Sequence, residues 1–353
     1  MKGPAIRTIM VVAGQSGGHI FPAVAFCQQV EESARPVKVI FVTAKSHGLE
    51  EFLSPGVDTR IWHTRRSPMG ILRLFLKTAG ILWKEKPDAV IGFGGYMTVP
   101  FVVLGRLAGA FVVIHEQNVS LGRANRFLSF WADRIVVSFS RTQTAFGRNN
   151  RKVVLARYPV RKGMVRQDRR QALASLGLPD GYFTVLVAGG SQGSRRLNET
   201  FVEALKMNQN RARIQVIHLA GRQDESEVRK AYQEMNAQAK VFAFLSRMDC
   251  AYSAADLIVA RSGAGSVQEI ILFGLPSILV PYPYAGGHQV ENAKVLAEKG
   301  AALMVEEKRL NPSVLNGLLN IFLDDPMRRK TMSALARSLE ENAQETTLMD
   351  VIP

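Results

Sequence analysis

The sequence predicts an α/β protein built from two doubly wound, Rossmann-like halves, and three observations predict it. Short runs rich in Val, Ile and Phe alternate with longer segments of helical character. Most of those runs are apolar throughout, as strands covered on both faces of a parallel sheet must be. A strand that ends in a glycine loop occurs twice, about half a chain apart, as "TIMVVAGQSGG" from residue 8 and "FTVLVAGGSQGS" from residue 183.

In order, the first half offers strands at "TIMVVAG" (8–14), "KVIFVTA" (38–44), "AVIGFGG" (89–95), "AFVVIHEQ" (110–117) and "RIVVSF" (134–139). The second half offers "FTVLVAGG" (183–190), "IQVIHLAG" (214–221), "KVFAFL" (240–245), "LIVARSG" (257–263) and "SILVPY" (277–282). Residues 141–171 between them are polar, basic and turn-rich and include "YPVR" at 158–161, so the hinge is placed there. With 353 residues, 47% of them hydrophobic, the chain exceeds what one core usually supports. The domains are therefore drawn as 1–161 and 162–353. Ligands of open α/β sheets bind at the carboxyl ends of strands, so two such domains facing each other would line a cleft with loops from both.

Composition excludes several classes. Cys27 and Cys250 are the only cysteines and lie far apart, which leaves no disulfide framework and no thiolate zinc cluster. The first apolar run ends in a glycine loop and not in a small-residue cleavage site, and reads as a strand. No run of 18 apolar residues occurs, since "VPFVVLGRLAGAFVVIH" is broken by Arg106. The net charge of +15 is uneven: residues 1–161 hold 22 Lys and Arg against 9 Asp and Glu, and the remainder holds 23 against 21. A polyanionic partner for the first half, nucleic acid or an anionic membrane, would explain this, and so would solubility alone.

The glycine loops carry the chemistry. "AGGSQGSRRLN" (188–198) sets Gly189, Gly190 and Gly193 around Ser191, with a helix expected near Ser194. Bare backbone N–H groups at a positive helix end suit a phosphate, although a glycine turn can also close a strand with no ligand. "ARSGAGSVQEI" (260–270) leaves its strand in the same manner, with Glu269 inside the following helix, either as a favourable early-helix charge or as an acceptor for ribose hydroxyls. "PYPYAGGHQVENA" (281–293) presents Gln289 and Asn292, side chains able to read sugar hydroxyls; a surface turn would explain its prolines equally well. In the first half, "GFGGYMT" (92–98) is a third glycine loop after a strand, and "VVIHEQN" (112–118) ends an apolar strand in four polar residues. In "GQSGGHIFPA" (14–23), His19 stands at a helix start, either as a packed or capping group or, since the dipole there disfavours imidazolium, as a neutral base beside anion-binding amides.

Together, "GQSGGHIFPA", "GFGGY", "HEQN", "GGSQGSRRLN", "RSGAGSVQE" and "QVENA", in this order and from the first strand to about residue 345, resemble the MurG family of peptidoglycan N-acetylglucosaminyltransferases. The resemblance implies a GT-B fold with the acceptor lipid on the first domain and UDP-GlcNAc mainly on the second, the last helix packing back on the first. It implies that Ser16, Gly17 and Gly18 border the donor and that Asn118 faces its sugar. Arg161 and Ser191 would contact donor phosphate, Leu245 would meet uracil through its backbone, and Ala264, Gly265, Ser266, Val267, Gln268 and Glu269 would hold nucleotide, with Glu269 on the ribose. Gln289 would bind GlcNAc hydroxyls. His19, Gly94, Gly95 and Tyr96 would lie on the acceptor side. Three departures stand out: Gln15 where glycine is usual, Ser16 where threonine is usual, and Tyr158 where asparagine precedes "PVR". The chain also ends at Pro353, somewhat early for the family.

"GILRLFLKTAGILWKEK" (70–86) bears on the lipid half of this reading. On a helical wheel its apolar residues, among them Ile71, Leu72, Phe75, Leu82 and Trp83, fill most of the circumference, and Arg73, Lys77 and Lys84 share a narrow stripe. Either the helix is wholly core, or its outer arc, with Ile71, Leu72, Arg73, Phe75, Lys77, Leu82 and Trp83, dips into an anionic headgroup layer. The implied enzyme is a peripheral protein on the cytoplasmic face of the cell membrane. It would use no cofactor, and without a D-x-D sequence no metal, moving GlcNAc from UDP-GlcNAc to the C4 hydroxyl of lipid I by an inverting displacement with His19 as base. A UDP-GlcNAc 2-epimerase of the same fold, or a transferase acting on another lipid, are the alternatives. A nucleic-acid-binding protein is disfavoured because aromatics are not interleaved with the basic residues.

Overall fold

The computed structural model describes residues 6–33, 36–44, 51–63, 67–147, 150–284, 286–341 and 345–353. The chain divides into two compact units, Met1–Lys162 with Ala343–Pro353, and Gly163–Asn342.

The first unit runs β1 (Thr8–Val12), α1 (Gly17–Glu32), β2 (Lys38–Thr43), β3 (Asp58–Ile61), α2 (Pro68–Glu85), β4 (Ala89–Gly92), α3 (Thr98–Leu107), β5 (Phe111–Glu116), α4 (Arg123–Leu128), β6 (Arg134–Val137), α5 (Ser140–Ala145) and β7 (Val153–Leu155). Its strands form one parallel sheet in the order β3-β2-β1-β4-β5-β6-β7. The apolar runs are continuous because alternate residues serve opposite faces. From β1, Ile9 and Val11 enter the core on the α1 side, and Met10 and Val12 the core under α2 and α3.

The second unit runs α6 (Arg169–Ser175), β8 (Phe183–Ala188), α7 (Arg195–Met207), β9 (Ile214–Leu219), α8 (Glu225–Glu234), β10 (Gln238–Phe242), α9 (Met248–Ala254), β11 (Leu257–Ala260), α10 (Ala264–Phe273), β12 (Ser277–Leu279), α11 (His288–Ala297), β13 (Ala302–Met304), α12 (Pro312–Asp324) and α13 (Pro326–Glu341). The strand order, β10-β9-β8-β11-β12-β13, repeats that of the first unit. Both are the Rossmann order, which reverses its winding between the first and fourth strands. The repeat extends to single residues. The Asp88 carboxylate, just before β4, accepts from the N–H groups of Arg7 and Thr8 at 2.8 and 2.9 Å, and the Asp256 carboxylate, just before β11, accepts from Thr184 N–H at 2.8 Å.

All ten predicted strands are present, and the described residues hold three more. The additional ones, β3, β7 and β13, are sheet edges, and their residues are half-buried or exposed apart from Ala302. An edge strand covered on few sides needs no apolar run and β3 (DTRI) has none, while β7 (VVL) and β13 (ALM) are apolar but only three residues long. The fourth edge, β10, spans 238–242 and not 240–245. The polar stretch 141–171 contains most of α5, β7 and the start of α6, with 148–149 outside the described residues.

The last helix, α13, belongs to the second unit, and the segment belonging to the first is the short tail after it. There Arg157 N–H donates to the Thr346 carbonyl at 2.8 Å, and Leu348 and Ile352 are buried against the α1 side of the sheet.

Candidate active site

The loops at the two winding reversals are where open parallel sheets receive ligands. In the first unit these follow β1 and β4. Ser16 is the extended N-cap residue of α1 (φ −91°, ψ 150°), yet its hydroxyl caps nothing and instead lies 3.0 Å from His19 Nδ1. Glycine is required on both sides of that imidazole: a Cβ on Gly14 would stand 2.7 Å from His19 Nδ1, and one on Gly94 3.2 Å from Nε2. Gly94 and Gly95 also have φ of +84° and +86°, in the left-handed region. His19 is thus wedged between two glycine loops, and Gln15 Nε2 closes them by donating to Tyr96 Oη at 3.2 Å.

Beyond β5 lies a support the sequence reading did not single out. Glu116 is 1% exposed, and its carboxylate accepts from Asn118 N–H (3.0 Å), Asn118 Nδ2 (3.2 Å), Gly122 N–H (2.9 Å) and Asn125 Nδ2 (2.9 Å). These bonds fix the turn that carries Asn118. The buried His115 has Nε2 at 2.9 Å from Ser138 Oγ and its ring against Phe93 and Tyr158. Burial first, and the neighbouring His19 second, push its imidazole down to about 3, so it is neutral. Tyr158 therefore fills core space beside His115. Arg161 lies against Phe21 and Phe52, its guanidinium 4.9 and 4.8 Å from the ring centres. Gln28 ties the same corner together, donating to the Phe52 carbonyl and accepting from Lys162 N–H, both at 2.7 Å.

In the second unit the corresponding loops follow β8 and β11. Gly190 and Gly193, at φ +91° and +79°, turn the chain so that Ser191 is exposed ahead of α7. Arg261, 6% exposed, joins the two loops: it donates to Ser194 Oγ at 2.8 Å, to Glu307 at 2.5 Å and to the Val280 carbonyl at 3.1 Å. Removing one partner of such a buried pair costs about 3–5 kcal/mol, so the loop spacing is strongly held. A charge directly after the apolar run "LIVA" was the sequence signal for it.

Gly263 precedes α10, leaving the first N–H groups of that helix without intrahelical partners. Gly265, Ser266, Gln268 and Glu269 are half-buried, whereas Ala264 and Val267 are buried. Val267 is 0% exposed and packs in the core, so only its backbone is open to a ligand role. Glu269 accepts from Tyr252 Oη at 2.8 Å, and Tyr252 stacks on Phe273; this tyrosine, one helix away, had no sequence signal. Gln289 Oε1 accepts from Tyr282 N–H at 2.9 Å, Ser262 Oγ donates to the Gln289 carbonyl at 2.7 Å, and Asn292 Nδ2 donates to the Ser262 carbonyl at 3.2 Å. Ala285 of that loop lies outside the described residues. Leu245 is half-buried in the loop between β10 and α9. Among the described residues no three His, Cys, Asp or Glu group as metal ligands.

Helix α2 begins with Ser67, whose side chain accepts from Gly70 N–H at 3.1 Å, and with Pro68 in its first turn. Leu74, Thr78, Ile81 and Leu82 are buried, Phe75 is half-buried, and Ile71, Leu72, Leu76 and Trp83 are exposed, Trp83 by 80%. Leu82, expected on the outer arc, is instead core at 4% exposure. It lies one residue from Ile81 on the buried stripe, and the wheel alone could not set where that stripe ends. Arg73, Lys77 and Lys84 are exposed, with Lys77 Nζ 4.1 Å from the Trp62 ring centre. No described helix is long and apolar enough to cross a membrane.

Two Rossmann-type sheets, each with paired glycine loops at its winding reversal, are those of the GT-B fold, and the family matches make the chain a glycosyltransferase. The chain matches the glycosyltransferase family 28 N-terminal domain over residues 9–137 and the family 28 C-terminal domain over 184–347. It is 32% identical to the UDP-N-acetylglucosamine–N-acetylmuramyl-(pentapeptide) pyrophosphoryl-undecaprenol N-acetylglucosamine transferase of Halothermothrix orenii, covering 98% of both chains. It is 34% identical to the enzyme of the same name from Syntrophus aciditrophicus, covering 94% of each. The crystal structure of Acinetobacter baumannii MurG superposes with a TM-score of 0.71 at 28% identity over 96% of both chains. The chain belongs to this MurG family of lipid-linked N-acetylglucosamine transferases.

Proposed function

We propose that this protein transfers GlcNAc from UDP-GlcNAc to the C4 hydroxyl of MurNAc-pentapeptide-pyrophosphoryl-undecaprenol, forming the lipid-linked disaccharide of peptidoglycan synthesis. Membership of the family supports the reaction. The observation that carries the residue assignment is His19, held at the start of α1 between two glycine loops with Nδ1 on Ser16 Oγ. When Nδ1–H donates to Ser16, Nε2 keeps its lone pair. The acceptor hydroxyl attacks C1 of GlcNAc as its proton passes to Nε2, the C1–oxygen bond to UDP breaks, and the configuration at C1 inverts.

The second unit is the donor side. The N-terminal ends of α7 and α10, with Ser191 and residues 264–269 of α10, face charge developing on the leaving diphosphate, and Arg161 adds a cation. Glu269, oriented by Tyr252, takes the ribose, Leu245 meets the uracil through its backbone, and Gln289 and Asn118 take the sugar. Ser16, Gly17 and Gly18 border the donor, and Gly94, Gly95 and Tyr96 the acceptor diphosphate. The first unit is the acceptor side, resting peripherally on the anionic cytoplasmic leaflet through the outer face of α2: Ile71, Leu72, Leu76 and Trp83, with Arg73 and Lys84.

The test is radiolabel transfer from UDP-GlcNAc to the lipid acceptor. Label in the lipid phase, and UDP release only when acceptor is present, is the expected result. UDP release or isomerisation of the sugar without acceptor would replace transfer by epimerase-like chemistry.

A further inference from the structure

Three buried side chains of the second unit, on three different elements, form a chain of hydrogen bonds that ends under the Ser191 loop. Tyr232 (α8), His218 (β9) and Asn198 (α7) are 2%, 0% and 1% exposed. Asn198 Nδ2 donates to the Ala220 carbonyl and to Asp224 Oδ2, both at 2.9 Å. Both partners are acceptors, so the amide orientation is fixed and Asn198 Oδ1 must accept. It accepts from His218 Nε2 at 3.0 Å, which puts the histidine proton on that nitrogen, and Nδ1 then accepts from Tyr232 Oη at 2.7 Å. Each bond has one possible direction.

The far end of this chain is the floor of the loop. A Cβ on Gly193 would collide with the Ala220 carbonyl oxygen, and one on Gly221 would stand 2.6 Å from the Gln192 carbonyl oxygen. The turn that exposes Ser191 therefore rests on Ala220–Gly221 with no side chain between them. Its height above the sheet depends on where the Ala220 carbonyl is held, and Asn198 holds it. Because Asn198 lies on α7, whose first turn follows the loop, one amide sets the spacing between that helix end and the turn beneath it.

We propose that Tyr232, His218 and Asn198 are positioning residues for the donor diphosphate, setting the Ser191–Gly193 amides and the α7 N-terminus at one geometry without touching the ligand. The inference rests on the reading that this loop receives the diphosphate of UDP-GlcNAc. Its chemistry is that of a fully satisfied buried network, in which loss of one member leaves the others unpaired and mobile.

The experiment compares UDP binding by calorimetry, and KM for each substrate, in His218→Leu, His218→Gln and Tyr232→Phe. The leucine variant cannot donate to Asn198 and should weaken UDP binding and raise the donor KM about tenfold, with the acceptor KM unchanged. Tyr232→Phe should do so by about threefold. The glutamine amide can still donate to Asn198 and should restore affinity to within about twofold of the unaltered protein. A leucine variant that binds UDP normally and has only a lower melting temperature overturns the proposal. Should that variant fail to fold, the unaltered protein decides: the His218 Nε2–H and Asn198 side-chain amide resonances must shift as UDP is added, and unmoved resonances at saturation overturn it. Failure of the unaltered protein to bind UDP at all removes the donor-loop reading and this inference with it.

Discussion

Gln15 donates to Tyr96 Oη at 3.2 Å and so ties the loop after β1 to the loop after β4, across the point where the sheet reverses its winding. The tie makes the two glycine loops around His19 one unit. Gln15→Gly and Tyr96→Phe should each lower kcat/KM for the lipid acceptor, and the double variant should be little worse than either alone. A double-mutant cycle should give a coupling of about 1 kcal/mol. Additive losses would mean that the two residues act separately.

His19→Ala should lower kcat by a factor of about 10²–10⁴, the range of a lost general base, while UDP binding by calorimetry stays unchanged. Near-normal turnover would dismiss the base assignment. A parallel loss of UDP affinity would point instead to collapse of the two glycine loops that the imidazole separates.

Glu269→Gln should weaken UDP binding by about tenfold, because a ribose hydroxyl loses a charge-assisted acceptor. Tyr252→Phe should weaken it less, since it removes only the 2.8 Å bond that orients the carboxylate. Equal effects would show that Tyr252 does more than orient. Affinity for UDP serves as the readout, with uridine alone as the control that keeps the ribose and lacks the diphosphate.

Leu76→Glu with Trp83→Glu should abolish sedimentation with anionic vesicles and leave thermal stability within about 0.5 kcal/mol, as both side chains are mainly exposed. Neutral vesicles should bind the unaltered protein weakly, and added salt should release it from anionic ones. Undiminished vesicle binding by the double variant would move the membrane contact off α2.

Stability should fall with acid before the carboxylates titrate. His115 and His218 are both pushed down to about 3 by burial, from an ordinary value of 6.5. Between those values the unfolded chain binds a proton at each site and the folded chain does not, so stability is lost as the pH falls from 6.5 toward 3. The slope is at most about 1.4 kcal/mol per pH unit for each histidine. Urea midpoints at pH 7, 6 and 5 should decline, and His218→Gln should flatten the decline in the second unit. A midpoint constant from pH 7 to pH 5 would contradict neutral burial of both rings.

What the sequence determined by itself was the part governed by local rules. Central strands announced themselves because both faces are buried, and the glycine loops because a backbone that turns at positive φ or admits an imidazole without a Cβ leaves few other residues possible. His19, Ser191 and Glu269 could be singled out because each sits a fixed short distance from such a loop. Tertiary structure alone decided what each of those residues touches. Edge strand β3, half covered, needed no apolar run to declare it, and β7 and β13, apolar but three residues long, were too short to stand out. The division of α2 into a buried stripe ending at Leu82 and an exposed one holding Trp83 depended on where the sheet beneath it lay. Tyr252 on Glu269, Arg261 on Ser194 and Glu307, and Asn198 under the Ser191 turn join residues from 17 to 67 positions apart. Such partners meet only after parallel strands have been set side by side, and a hydrogen bond between them writes no period or spacing into the chain.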